Sequence, residues 1–359
     1  MDHFRIGFVT GIESYWRNCG LYGKYIKMRL EGQIYPDVYS LPKFIASKCD
    51  FLRVGEKIPA GRYDLLLAEL QGSDSQLDFL ERLVVYGTTP VAVIPGPPEI
   101  LLRDMTPRKT LMTRRILGEA RHIWAYSDSV RSFYDDFAGM KRAEVIPWPF
   151  DYKATVKLGR KRPTTQKDTL HILFQVPLRF SGVTGNHPVA LKEVLKDVLE
   201  GLPGEMRKRF VFHTFVYTRE DREIYRSSNF ADGLLMILER RRGYIPFVRF
   251  VGGFEAVVNL TVGSILGRVT FLGAALGKPG IFSTNAEINQ SLYPNSGVAL
   301  LDTGRFRDLL GRLISGLLDN RIDDCFRPCT EAAEETGDFS ANAAKMRRLL
   351  SGDSVCAGS

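Results

Sequence analysis

Short apolar runs rich in Val, Ile and Phe alternate with stretches of helical period along nearly the whole chain. The runs predict strands at Arg5–Val9, Asp64–Glu69, Pro90–Ile94, His122–Tyr126 and Glu144–Pro147. A second series follows at His171–Gln175, Phe210–Val216, Ala256–Leu260, Gly280–Ser283 and Val298–Leu301. Continuous rather than alternating apolar strands imply sheets covered on both faces. Between them, Phe306, Leu309, Leu310, Leu313, Ile314 and Leu317 recur at three and four residues, with Asp302 or Thr303 placed to cap the start. Val130, Phe133, Tyr134 and Phe137 repeat the pattern after Ser127-Asp128. Leu191, Val194, Leu195, Val198 and Leu199 do so after Pro188, a residue suited to a first helical turn. Strand, helix and strand in repetition predict parallel crossovers and an α/β protein of two doubly wound, Rossmann-like sheets.

The series breaks once. After Val145–Asp151 comes a polar, basic stretch, Tyr152–Asp168, with no apolar period, and it reads as a linker. The expected organisation is therefore a first Rossmann-like domain at 1–150, a linker at 151–168, a second at 169–320 and a helical tail at 321–359. Two prolines beside Trp148 stiffen the approach to the linker, and Trp148 and Phe150 are expected to pack the hinge.

Length agrees with two domains, because 359 residues exceed what one ordinary core organises. Hydrophobic residues at 44% and charged residues at 25% are globular proportions. No apolar run reaches the roughly 20 residues that span a bilayer, and the opening Met1-Asp2-His3-Phe4-Arg5 lacks a signal-peptide pattern, so a cytoplasmic location is expected. Five cysteines, Cys325 and Cys329 among them, show no zinc spacing. The net charge of +8 is spread over separate clusters, Arg108-Lys109 with Arg114-Arg115, Lys157–Arg162, Arg207–Arg209 and Arg240–Arg242, without aromatic interleaving for base stacking. Leu101–Leu117 mixes apolar and basic residues as a membrane-surface helix does.

No phosphate-binding Walker loop, no Gly-x-Gly-x-x-Gly after a strand, no His-Glu-x-x-His and no Gly-x-Ser-x-Gly is present. In open parallel sheets ligands gather beyond the carboxyl ends of the strands. The most informative segment there is Ser264–Ile281, in which a turn containing Gly267 opens a helix that stops at Gly277 before the strand Gly280–Ser283. Free N–H groups and the positive dipole end of such a helix suit a diphosphate. Arg268 and Thr270 lie in its first turn.

This segment resembles the signature of retaining glycosyltransferases with two Rossmann domains facing across a cleft (the GT-B fold, group 1 or family 4), written Glu-Gly-Phe-Gly-x-x-x-x-Glu-Ala-x-Ala-x-Gly-x-Pro-Val-Ile. Ala125–Val130, Val145–Asp151 and Leu170–Gln175 resemble further family steps, so the likeness runs from about residue 120 to 305. Asn18–Gly23, with Gly20 and Gly23, stands where the family has an acceptor-side glycine loop. The resemblance implies transfer of a sugar from a nucleoside-diphosphate sugar without a metal or other cofactor. The leaving diphosphate would be held by the helix at Gly267 and by Arg179 and Arg268, with Glu287 near the ribose or base and Glu99 on the acceptor side. The acceptor stays open among glycans, lipid-linked groups and proteins. Two family glutamates, one for the sugar and one for the ribose, are Ser264 and Leu272 here, and the usual diphosphate-clamping Arg and Lys are Pro177 and Ser181. Two other readings therefore stand beside the first. One is a catalytically inactive homologue serving as a binding or scaffold subunit; the other is a transferase that modifies nucleic-acid bases.

Overall fold

The structure, a computed structural model, describes residues 4–10, 48–70, 72–103, 105–148, 150–159, 169–175, 187–215, 236–239, 244–260, 268–299 and 302–351. The chain divides into two compact units, one formed by residues 1–151 with 336–359 and the other by 152–335.

In the first unit, strands β1 (Arg5–Thr10), β2 (Lys48–Arg53), β3 (Leu65–Leu70), β4 (Val91–Pro95), β5 (His122–Ala125) and β6 (Ala143–Val145) form sheet A. Their order is β2-β1-β3-β4-β5-β6 and every pairing is parallel. The expected continuous burial is present: all five residues of β4 are buried. Helices α1 (Asp74–Tyr86), α2 (Pro98–Arg103), α3 (Pro107–Glu119) and α4 (Asp128–Ala138) link the strands. Ser127 caps α4 by accepting from the Val130 N–H at 3.3 Å, and Gly139, at φ 70°, ends it in the left-handed conformation that glycine adopts without strain.

The second unit opens with a helix. Residues expected to be linker instead form α5 (Tyr152–Gly159), and 160–168 lie outside the described residues. The buried face of α5 is made by Thr155 and Gly159, so small residues replace the large apolar ones that mark a period. A Cβ at Gly252 would stand 2.7 Å from the Gly159 carbonyl oxygen, and one at Gly159 would run into the Leu276 side chain. Close backbone approach therefore explains the first glycine and side-chain packing the second.

Sheet B contains β7 (Leu170–Gln175), β8 (Phe210–Phe215), β9 (Met236–Glu239), β10 (Ala256–Asn259), β11 (Gly280–Ser283) and β12 (Gly297–Val298). It is again parallel, in the order β12-β11-β10-β7-β8-β9. Around it lie α6 (His187–Glu200), α7 (Gly204–Arg207), α8 (Tyr244–Gly252), α9 (Arg268–Ala275), α10 (Glu287–Leu292), α11 (Thr303–Leu318) and α12 (Thr330–Thr336). One face of sheet B, with Ile172, Phe174, Val258 and Ile281, meets α6 and α11 in a single apolar core. The six periodic residues of α11 are all buried, and Asp302 caps it by accepting from the Arg305 N–H at 2.9 Å. The last helix, α13 (Phe339–Ser351), belongs to the first unit. From it Asn342 Nδ2 donates to the Trp148 carbonyl at 3.4 Å. Trp148 itself is sandwiched between Tyr126 and Phe150, with ring centroids 4.5 and 6.0 Å away.

Candidate functional site

Parallel packing of β7, β10 and β11 brings three strand ends side by side, because Gln175 and Phe282 both flank Asn259 in register and Ser283 follows Phe282. Apart from His171 near the start of β7, each strand is apolar until its last residue and then ends on a polar one: Gln175, Asn259 and Ser283. All three are buried, at 5%, 1% and 4% exposure. Asn259 Nδ2 donates to Thr270 Oγ1 at 3.1 Å, tying the end of β10 to the first turn of α9. Asn289 of α10 donates from Nδ2 to the Ser283 carbonyl at 2.9 Å. Asn259 Oδ1, Ser283 Oγ and Asn289 Oδ1 remain buried with no hydrogen-bond partner among the described residues. Leaving such a group unsatisfied costs about 1–3 kcal/mol, so several at one edge call for an explanation. A ligand that supplies donors would provide one.

The glycines around this edge are there for packing. A Cβ at Gly273 would lie 2.8 Å from Tyr293 Oη, whose proton goes to the Lys278 carbonyl at 3.0 Å. Tyr293 is fully buried and stacks on Phe282 at 4.0 Å, and burial pushes its phenol well above the usual range. Gly277 ends α9 at φ 65°. Helix α9 thereby packs against β10 and the Phe282–Tyr293 ring stack, with its amino end at the polar edge.

Of the residues singled out in the sequence, Arg268 is the first of α9 and Thr270 the third. Thr270 is fully buried and its hydroxyl accepts from Asn259. Glu287 is exposed in the first turn of α10, beyond the carboxyl end of β11. These three therefore share one edge of sheet B. Leu272 is 0% exposed, so the position where the family signature carries a glutamate is part of the apolar interior. Arg179, Gly267, Ser264, Gly20 and Gly23 lie outside the described residues. Glu99 is in the first turn of α2, on the loop that follows β4 in the first unit. Near it the Tyr134 hydroxyl donates to the Gly96 carbonyl at 2.9 Å. Burial first, and the charge of Glu99 second, push the Tyr134 phenol well above its ordinary range.

Sequence reasoning missed Gln175, Asn259, Ser283 and Asn289. The signal was a polar residue closing an apolar run, and its meaning depends on which strands are neighbours.

The Leu101–Leu117 surface resolves into α2 and α3. Leu102 and Leu111 are 48% and 68% exposed. The cations of α3 meet carboxylates of α1: Arg108 pairs with Asp78 at 2.9 Å and Arg115 with Glu81 at 3.0 Å. Lys109 approaches Asp74 at 3.9 Å. Among the described residues no helix is long and apolar enough to cross a membrane, and no three metal-ligating side chains converge.

No family model matches the chain, and no curated protein matches its sequence. Solved structures do match its fold. Sucrose-phosphate synthase from Thermosynechococcus elongatus is similar at 11% identity over 98% of this chain and 99% of that one, with a TM-score of 0.65. The UDP-forming α,α-trehalose-phosphate synthase of Burkholderia vietnamiensis is similar at 14% identity, covering 81% and 73%, with a TM-score of 0.59. Anabaena HepE, solved with UDP and glucose, is similar at 10% identity over 98% and 99%, with a TM-score of 0.57. The architecture is accordingly GT-B: two α/β units, each built on a parallel sheet.

Proposed function

We propose that this chain is a glycosyltransferase that takes a sugar from a nucleoside-diphosphate sugar held on the second unit. The observation that carries the reading is the polar edge of sheet B, where Gln175, Asn259 and Ser283 end three adjacent strands beside the amino end of α9. The full-length likeness to sucrose-phosphate synthase and to HepE with UDP and glucose supports it.

In this reading each group has a task. The amino end of α9, with Gly267, Arg268 and Arg179, neutralises the diphosphate, so no metal is needed. Asn259 Oδ1 and Ser283 Oγ accept from sugar hydroxyls, and Thr270 holds the Asn259 amide in place. Glu287 meets the ribose or base. On the acceptor side, Gly20 and Gly23 admit the acceptor, and Glu99 takes its hydroxyl proton. The acceptor oxygen then bonds to the anomeric carbon as the bond to the diphosphate breaks, and the nucleoside diphosphate leaves. The acceptor is a glycan, a lipid-linked group or a protein, and the protein works in the cytoplasm.

The test is release of nucleoside diphosphate from a panel of uridine, guanosine and thymidine diphosphate sugars, with simple sugars and sugar phosphates as acceptors. Release with one donor supports transfer. The burial of Leu272 favours a second reading, a binding subunit without turnover. Tight binding of a nucleotide sugar that is never consumed would select it.

A further inference from the structure

Near the amino end of β7, away from the polar edge, two of the five histidines stand side by side. His171 is the second residue of β7 and His213 the fourth of β8. His171 Nδ1 and His213 Nε2 are 2.8 Å apart. His213 is 6% exposed, with Phe254 and Phe250 edge-on to its ring at 4.9 and 6.0 Å. Of the elements packed there, the 253–255 turn supplies Glu255, whose Oε2 accepts the His171 backbone N–H at 2.7 Å. Arg249 of α8 and Arg209 before β8 are exposed, and β9 places Ile237 opposite His213. Glu255 thus brings a carboxylate into direct contact with the backbone of the pair.

Counting protons shows what this geometry permits. The neutral pair needs one N–H and one lone pair between the rings. A first added proton goes to the outer nitrogen of the donor ring and turns the bridge into a stronger, charge-assisted bond. A second has only the bridging lone pair left, and would set two N–H groups head to head at 2.8 Å. We propose that His171 and His213 form a one-proton lock on the β7–β8 seam, which holds while the rings carry at most one added proton and breaks, with unfolding of the second unit, when both are charged. Strand β7 joins β8 to β10, so opening the lock loosens sheet B at its middle. Acid would then destabilise the second unit through this seam.

The sign follows from linkage. Imidazoles in an unfolded chain charge near pH 6.5, so below about pH 6 the unfolded chain holds both protons and the locked pair one. With one proton fewer bound in the folded state, the folded-to-unfolded ratio falls about tenfold per pH unit lost. Denaturant melts of the full chain from pH 7.5 to 5.0, compared with His213→Phe, isolate this effect from acids common to both proteins. The expected result is a wild-type slope steeper by about tenfold per unit between pH 6 and 5; equal slopes overturn the lock. Should His213→Phe not fold, long-range 15N–1H spectra of 15N-histidine wild type decide the matter. One protonated bridging nitrogen at pH 7.5, with no folded species carrying two imidazolium rings at pH 5, is expected. A folded protein with both rings cationic overturns the proposal.

Discussion

Sheet A ends its strands β3 to β6 on Leu70, Pro95, Ala125 and Val145, whereas β7, β10 and β11 of sheet B end on Gln175, Asn259 and Ser283. Among the described residues the two sheets have the same number of strands and the same parallel pairing, and strands such as β4 and β10 are buried along their whole length. In sheet A the chain beyond β5 and β6 closes on itself through the stacked rings of Tyr126, Trp148 and Phe150. In sheet B the edge keeps buried acceptors that nothing in the described protein satisfies. Apolar interiors build either sheet, but a polar, incompletely bonded edge costs stability and so points to a ligand. This contrast is what supports the proposal of donor binding on the second unit.

The sharpest way to break this contrast is Leu272→Glu, which writes the family glutamate back into α9. Because Leu272 is wholly buried, the carboxylate would have no partner, and a loss of about 3–5 kcal/mol in a denaturant melt is expected rather than gained activity. Next comes an edge made apolar: Asn259→Leu with Thr270→Val removes both ends of one hydrogen bond and the orphaned oxygen. Stability without ligand should stay within about 1 kcal/mol or rise. Stabilisation by ligand, roughly 2.7 kcal/mol at a hundredfold excess over Kd, should vanish. Gly273→Ala drives a methyl against Tyr293 Oη and should cost about 1–3 kcal/mol, read in the same melts. The smallest effects test what the units share. Ser127→Ala in the first and Asp302→Ala in the second each remove a helix cap and should cost about 1 kcal/mol, with ligand binding unchanged.

Much of the scaffold was legible because continuous apolar strands and clean helical periods leave little choice. Ten of the described strands answer to runs read from sequence alone, with ends shifted by up to three residues. The two that escaped, Lys48–Arg53 and Met236–Glu239, lie at sheet edges. The first mixes Lys48, Asp50 and Arg53 with its apolar residues, whereas Met236–Leu238 does carry an apolar run, which was not read as a strand. Helix α5 escaped for a different reason, since Thr155 and Gly159 bury a face without any large side chain. At the candidate site, Arg268, Thr270 and Glu287, which share one edge of sheet B, were singled out by their place in a signature. Asn259 and Ser283 were not, because a polar residue at the end of a run becomes informative when neighbouring strands end the same way.

The most direct test of the central claim is thermal melting of the full chain against uridine, guanosine and thymidine diphosphates and their sugars, repeated on the Asn259→Leu, Thr270→Val double variant. The account predicts that one nucleotide raises the melting temperature of the wild type and leaves the double variant unmoved. A folded wild type that no nucleotide or nucleotide sugar stabilises, or an equal shift in both proteins, would contradict it.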